Sequence, residues 1–166
     1  MMQVVGNSYL SLGFSSKINN LVEIRNCITG DNYVKVVQEY PIFSLSCIKK
    51  HDGIKEEFAP GQAGEFKNTQ DGGNKRLEIY YDRLCCEGKS IDIGAKVIIE
   101  IGDDCSTQWS IELENRDAEY EIVEVLFPRI AGIYLGESWK DDIVIYPHHA
   151  GEKTENPVEE YVTDRY

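Results

Sequence analysis

The sequence predicts an all-β fold, an antiparallel β-sandwich. Three observations carry that expectation. Apolar residues alternate with polar ones over several short stretches. Turn-forming Gly, Asn and Asp residues separate those stretches. And no long stretch places apolar residues at i, i+3, i+4 and i+7, the spacing of an amphipathic helix.

Taken along the chain, "YLSLGF" puts Leu10, Leu12 and Phe14 on one side, "SSKINN" turns the backbone, and "LVEIRNC" carries Val22 and Ile24 inward. "IFSLSCI" and "RLEIYY" read as further strands, with weaker alternation. Between them, residues 51–75 are polar and glycine-rich and read as one long loop, either a surface excursion or the rim of a binding cleft. The clearest signal is "IDIGAKVIIEI". Ile91, Ile93, Ala95, Val97, Ile99 and Ile101 share one face; Asp92, Gly94, Lys96 and Glu100 share the other, with Ile98 the exception. "QWSIELEN" repeats the pattern with Trp109, Ile111 and Leu113 inward, and "GDDCST" between the two suits a hairpin turn. "NRDAE" then links to "YEIVEVLFP", and "DDIVIYP" follows. Each of these ends at a proline, which cannot donate to a strand ladder. The tail, residues 152–166, holds the one helix candidate: Asn156 would cap it, Pro157 would take its first position, and Val158, Tyr161 and Val162 would share a face.

With 166 residues the chain has the length of one domain, and it can bury a core without disulfides. A net charge of −12 argues against nucleic acid or an anionic membrane surface as partner. The five cysteines, Cys27, Cys47, Cys85, Cys86 and Cys105, are odd in number and lack CxxC spacing, so they read as free thiols in a reducing compartment. Neither a basic n-region nor an apolar h-region follows Met1, and no apolar run is long enough to span a membrane. The expected location is the cytoplasm.

The stretch "ESWKDDIVIYPHHAGE" gathers the candidate site residues: Trp139, Tyr146, His148, His149 and Glu152. Adjacent side chains on extended backbone point to opposite faces, so His148 and His149 do not read as a shared metal site, and neither metal nor cofactor is expected. An aromatic face beside fixed polar groups suits a sugar. Packing at the end of the sandwich, with solvated histidines, is the plain alternative. The paired carboxylates Glu56–Glu57, Asp103–Asp104, Asp141–Asp142 and Glu159–Glu160 read as solvated surface, since glycosidase acids sit on separate segments across a cleft.

Three segments together resemble a known domain. "GNSYLSLGFSSKINNLVEIRNCITGDNYVK", "WSIELENRDAEYEIVEVLFPRIAGI" and "DDIVIYPHHAGE" carry the motifs NxxTGxxY, FPRIAGI and YPxxxGE. They are similar to the N-terminal galactose-mutarotase-like β-sandwich of glycoside-hydrolase-like proteins of unassigned specificity, distantly similar to endo-α-N-acetylgalactosaminidases. The resemblance implies an incomplete sandwich beside a catalytic (β/α)₈ barrel that this sequence does not contain, so no catalytic residue carries over. The matching positions, Phe127, Pro128, Arg129, Tyr146, Pro147, His148, His149 and Gly151, would form an interface or cleft wall, with Arg129 bracing it through a carboxylate such as Glu152. The function so implied is a non-catalytic scaffold or carbohydrate-binding module, with carbohydrate and the parent's barrel as partners. Two rivals stand beside it. One is a mutarotase-like epimerase that pairs His148 or His149 with Glu152 or Glu137 as acid and base. The other is an interaction domain working through exposed sheet edges.

Overall fold

The structure, a computed structural model, describes residues 2–35, 39–71, 74–136, 138, 140, 142–146 and 151–157. Over these residues the fold is all-β, antiparallel and sandwich-like. Its main layer is a four-stranded sheet ordered β11-β10-β7-β6, built from Thr107–Asn115, Ile93–Ile101, Asn74–Tyr81 and Glu65–Asp71. Two three-stranded sheets lie across its inner face. One runs β1-β2-β3, from Met2–Gly6, Leu10–Ser15 and Leu21–Asn26; the other runs β12-β4-β5, from Tyr120–Leu126, Ser44–Lys49 and Lys55–Phe58. Two hairpins complete the described chain: β8 (Leu84–Cys86) with β9 (Lys89–Ile91), and β13 (Ile143–Tyr146) with β14 (Glu152–Glu155).

Alternation in β10 builds the core. Ile93, Ala95, Val97, Ile99 and Ile101 are buried, together with Ile91 just before the strand. Leu77, Ile79 and Tyr81 join them from β7, Leu12 and Phe14 from β2, and Leu45 and Cys47 from β4. The "GDDCST" segment turns β10 into β11, with Ile101 opposite Thr107. Asn7 fastens the first three-stranded sheet over that turn, its Nδ2 donating to the Gly102 carbonyl at 2.9 Å and the Asp104 carbonyl at 2.5 Å.

Two expectations need correction. Residues 51–75 are not one loop: they contain β5, β6 and the start of β7. Their polar composition hid strands that sit at the sheet margins, where one face meets water and alternation is weak. In β3 the residue paired with Phe14 is Leu21, because a bulge interrupts the ladder between Gly13 and Phe14. Leu21 is therefore buried and Ile24 packs on the core beside Leu12, while Val22, which the ladder skips, is half-buried without joining that core. Glu152–Glu155, ahead of the helix candidate that Asn156 would cap, is a strand. The helix candidate beyond Pro157 lies outside the described residues.

Candidate functional site

Cross-strand register organises the outer face of the four-stranded sheet into rows. Directly paired residues on antiparallel strands share a face. Glu65 on β6 pairs with Tyr80 on β7, Tyr80 with Lys96 on β10, and Lys96 with Glu112 on β11. The next row runs Lys67, Glu78, Ile98 and Ser110; the one after it runs Thr69, Arg76, Glu100 and Gln108. Four strands at the usual spacing make each row roughly 14 Å wide.

The rows are held together by charge. Arg76 donates to Glu78 at 3.0 Å and to Glu100 at 2.9 Å. Lys96 Nζ lies 3.0 Å from Glu112 and 3.7 Å from Glu78. Tyr80 donates its hydroxyl proton to Glu78 Oε2 at 2.5 Å, and the Lys96 ammonium sits 5.9 Å from the Tyr80 ring centre. Glu78 is 7 % exposed, yet its carboxyl is held below the usual range, chiefly by the Tyr80 hydrogen bond. The Arg76 bond and the Lys96 and Arg76 charges add to this, against the opposing effect of burial. The same arrangement raises the Tyr80 hydroxyl.

An open cleft of ≈ 1190 Å³ lies over the first row, with Tyr80, Lys96, Glu65 and Glu112 among its lining. Its walls depend on glycine. A Cβ on Gly64 would meet the Tyr80 carbonyl oxygen at 2.3 Å, so only glycine lets the 61–64 loop pass this close to β7. At the far end Arg116 closes the cleft, donating to Glu114 at 2.6 Å, Asp92 at 3.0 Å and the Asp82 carbonyl at 2.7 Å. Tyr80 is 38 % exposed, which leaves an aromatic face available among carboxylates and an ammonium.

Arg129, singled out from sequence, is not among the residues that line this cleft. Arg129 places its guanidinium 5.5 Å from the Tyr40 ring centre, and the carboxylate it reaches is Glu57, at 3.5 Å. Its backbone N–H donates to the Ile42 carbonyl at 2.7 Å. Tyr146 and Glu152 are register partners in the β13–β14 ladder, so the backbone brings these two positions together. Trp139, His148, His149 and Glu137 lie outside the described residues. His51, which is described, is exposed beside Asp52. Among the described residues no cluster of three or more His, Cys, Asp or Glu could hold a metal ion. All five cysteines are free. No helix among the described residues is long and apolar enough to cross a membrane.

Tyr80, Lys96, Glu65 and Glu112 were not candidates from sequence. The available signal was the doubled tyrosine of "RLEIYY": with Leu77 and Ile79 inward, Tyr81 is core and Tyr80 must face out. That it meets Lys96 and Glu65 is a matter of register, which no single strand encodes. No protein-family model matches the chain, and no curated protein sequence matches it.

Proposed function

We propose that this chain is a non-catalytic β-sandwich module of a glycoside-hydrolase-like protein and that it binds carbohydrate in the outer-face cleft. One observation carries the reading: a partly exposed Tyr80 ring in a cross-strand row whose neighbours are Glu65, Lys96 and Glu112. Sugars present apolar C–H faces that lie on aromatic rings and hydroxyls that both donate and accept. A flat tyrosine flanked by carboxylate acceptors and an ammonium donor meets both needs. The row's width of roughly 14 Å suits two or three sugar rings, and the cleft exceeds the ~300 Å³ of a small-ligand site. The free thiols support a reducing, cytoplasmic setting.

Titration with a panel of neutral mono- and oligosaccharides tests this, read by calorimetry. Binding is expected for at least one oligosaccharide, and Tyr80→Ala is expected to weaken it at least tenfold while the circular dichroism spectrum of the folded protein stays unchanged. Saccharide binding that survives Tyr80→Ala intact would place the ligand elsewhere. Silence across the panel would remove the carbohydrate reading.

A further inference from the structure

The lateral edge of the main sheet carries an inference independent of the cleft. Strand β11 pairs with β10 over nine residues with no register shift, and among the described residues nothing pairs with its other edge. Exposed edges are commonly blunted by a bulge, a proline or a lysine. β11, "TQWSIELEN", has no bulge, proline or lysine, and its only charges, Glu112 and Glu114, are both acidic. The facing edge strand β12 does have a bulge, between Ile122 and Glu124. β11 is therefore the regular, pairing-competent edge of the two.

The side chains agree. Residues 116–119 carry the chain from β11 across to β12, so both strands border the same flank of the sandwich. At the other end of the flank, Trp109 and Phe127 approach to 6.5 Å between ring centres. Between these two closures the inward residues are incompletely covered. Trp109, Ile111 and Leu113 are only partly buried. Val125 shares its face with the buried Leu45, its register partner, yet is 41 % exposed. The outward residues of the same strand are Gln108, Ser110, Glu112 and Glu114, and the chain's net charge is −12.

We propose that β11 receives one added strand from a partner whose extended segment alternates apolar with basic residues. Its backbone would complete the free ladder, its apolar side chains would cover Trp109, Ile111 and Val125, and its lysines or arginines would stand beside Glu112 and Glu114. A second copy of this chain fits less well, because pairing two such edges over their full length would set the two Glu112 side chains diagonally beside each other with no cation between them, on two chains of net charge −12.

The test uses the full chain carrying Trp139→Phe, which leaves Trp109 as its only tryptophan. The probe is a nine-residue peptide alternating valine and lysine. A valine–glutamate peptide and a scrambled valine–lysine peptide serve as controls. The alternating lysine peptide is expected to shift Trp109 emission to shorter wavelength in a saturable way, at least tenfold more tightly than either control. Glu112→Lys with Glu114→Lys is expected to move the preference to the glutamate peptide, the sign of direct charge pairing. Equal response to the lysine and scrambled peptides would overturn the strand-addition reading. So would no response at millimolar peptide, or self-association of the chain alone that buries Trp109, seen by sedimentation.

Discussion

Trp109→Ala tests the packing of the sandwich most directly. From sequence phase alone Trp109 reads as core, and truncating a buried aromatic costs about 3–5 kcal/mol. The structure lowers that figure. Trp109 sits on an edge strand, partly buried, with its ring 6.1 Å from Phe14 and 6.5 Å from Phe127, and its Nε1–H donating to Thr107 Oγ1 at 2.9 Å. Truncation removes these ring contacts and part of the transfer energy. It opens a notch to solvent instead of sealing a void, so the usual cavity penalty of about 24 cal/mol per Å³ is largely absent. The expected loss is therefore about 2–3 kcal/mol. Phe14→Ala, at a fully buried residue, should lose about 3–5 kcal/mol. Urea unfolding followed by circular dichroism measures both. A Trp109 loss below about 1 kcal/mol would refute the inward phase of β11. A loss equal to that of Phe14 would refute the open flank, because it would mean that Trp109 is sealed on all sides.

Gly64→Ala should destabilise by about 1–3 kcal/mol, since the new Cβ meets backbone at Tyr80, whereas Gly94→Ala should be nearly neutral because its nearest neighbour is the movable end of Arg116; thermal unfolding of the pair decides it, and equal effects would contradict the loop placement. Glu78 has a folded-state pKa below its unfolded value, so it adds stability above about pH 4.3 and that part fades as pH falls through the lowered value. The melting-temperature gap between wild type and Glu78→Gln should therefore be wide at pH 7 and narrow at pH 3, and a gap independent of pH would contradict the ionised network. Cys47 is fully buried, and burial pushes its thiol up to about 11, whereas Cys27 and Cys105 are exposed. A thiol reagent at pH 8 should modify Cys27 and Cys105 quickly and Cys47 only on unfolding; fast native-state labelling of Cys47 would contradict the burial of β4.

The legible parts of the fold are those where one strand alone encodes the answer. The β10–β11 hairpin could be read outright, because Ile93 to Ile101 alternate between a buried face and a charged one, and Gly102 to Asp104 mark the turn. β5 and β6 could not. "KEEF" and "EFKNTQD" contain few apolar residues, and they become strands because β4 and β7 offer them backbone partners. The bulge in β3 was hidden for a related reason: alternation assumes an unbroken ladder, and the sequence around Val22 does not announce the skipped residue. The site was least legible of all. Arg129 was identifiable as a braced side chain, but its partner Glu57 lies far off in sequence, and Glu65, Tyr80, Lys96 and Glu112 meet only through the registers of four strands.

The outer rows also explain why the cleft face can remain open while the flank cannot stay bare without consequence. Glu78, Arg76, Glu100, Lys96 and Glu112 satisfy one another across the strands, so this face needs no covering layer. Ile98, the one apolar residue in the middle row, is 4 % exposed between Glu78 and Ser110, so the Tyr80 ring in the neighbouring row is the main apolar surface these rows leave open. The flank differs in kind. Among the described residues no strand pairs with the outer edge of β11, whose backbone N–H and C=O groups side-chain ion pairs do not satisfy as a second strand would, and the flank's partly covered residues are aromatic and aliphatic. Glu112 and Glu114 belong to both regions, lining the cleft and projecting from β11. A strand that recruits these carboxylates would draw them from Lys96 and Arg116, two of the cations that line the cleft. A ligand in the cleft and a strand on the edge that compete for these carboxylates would then alter each other's affinity, by the same factor in both directions.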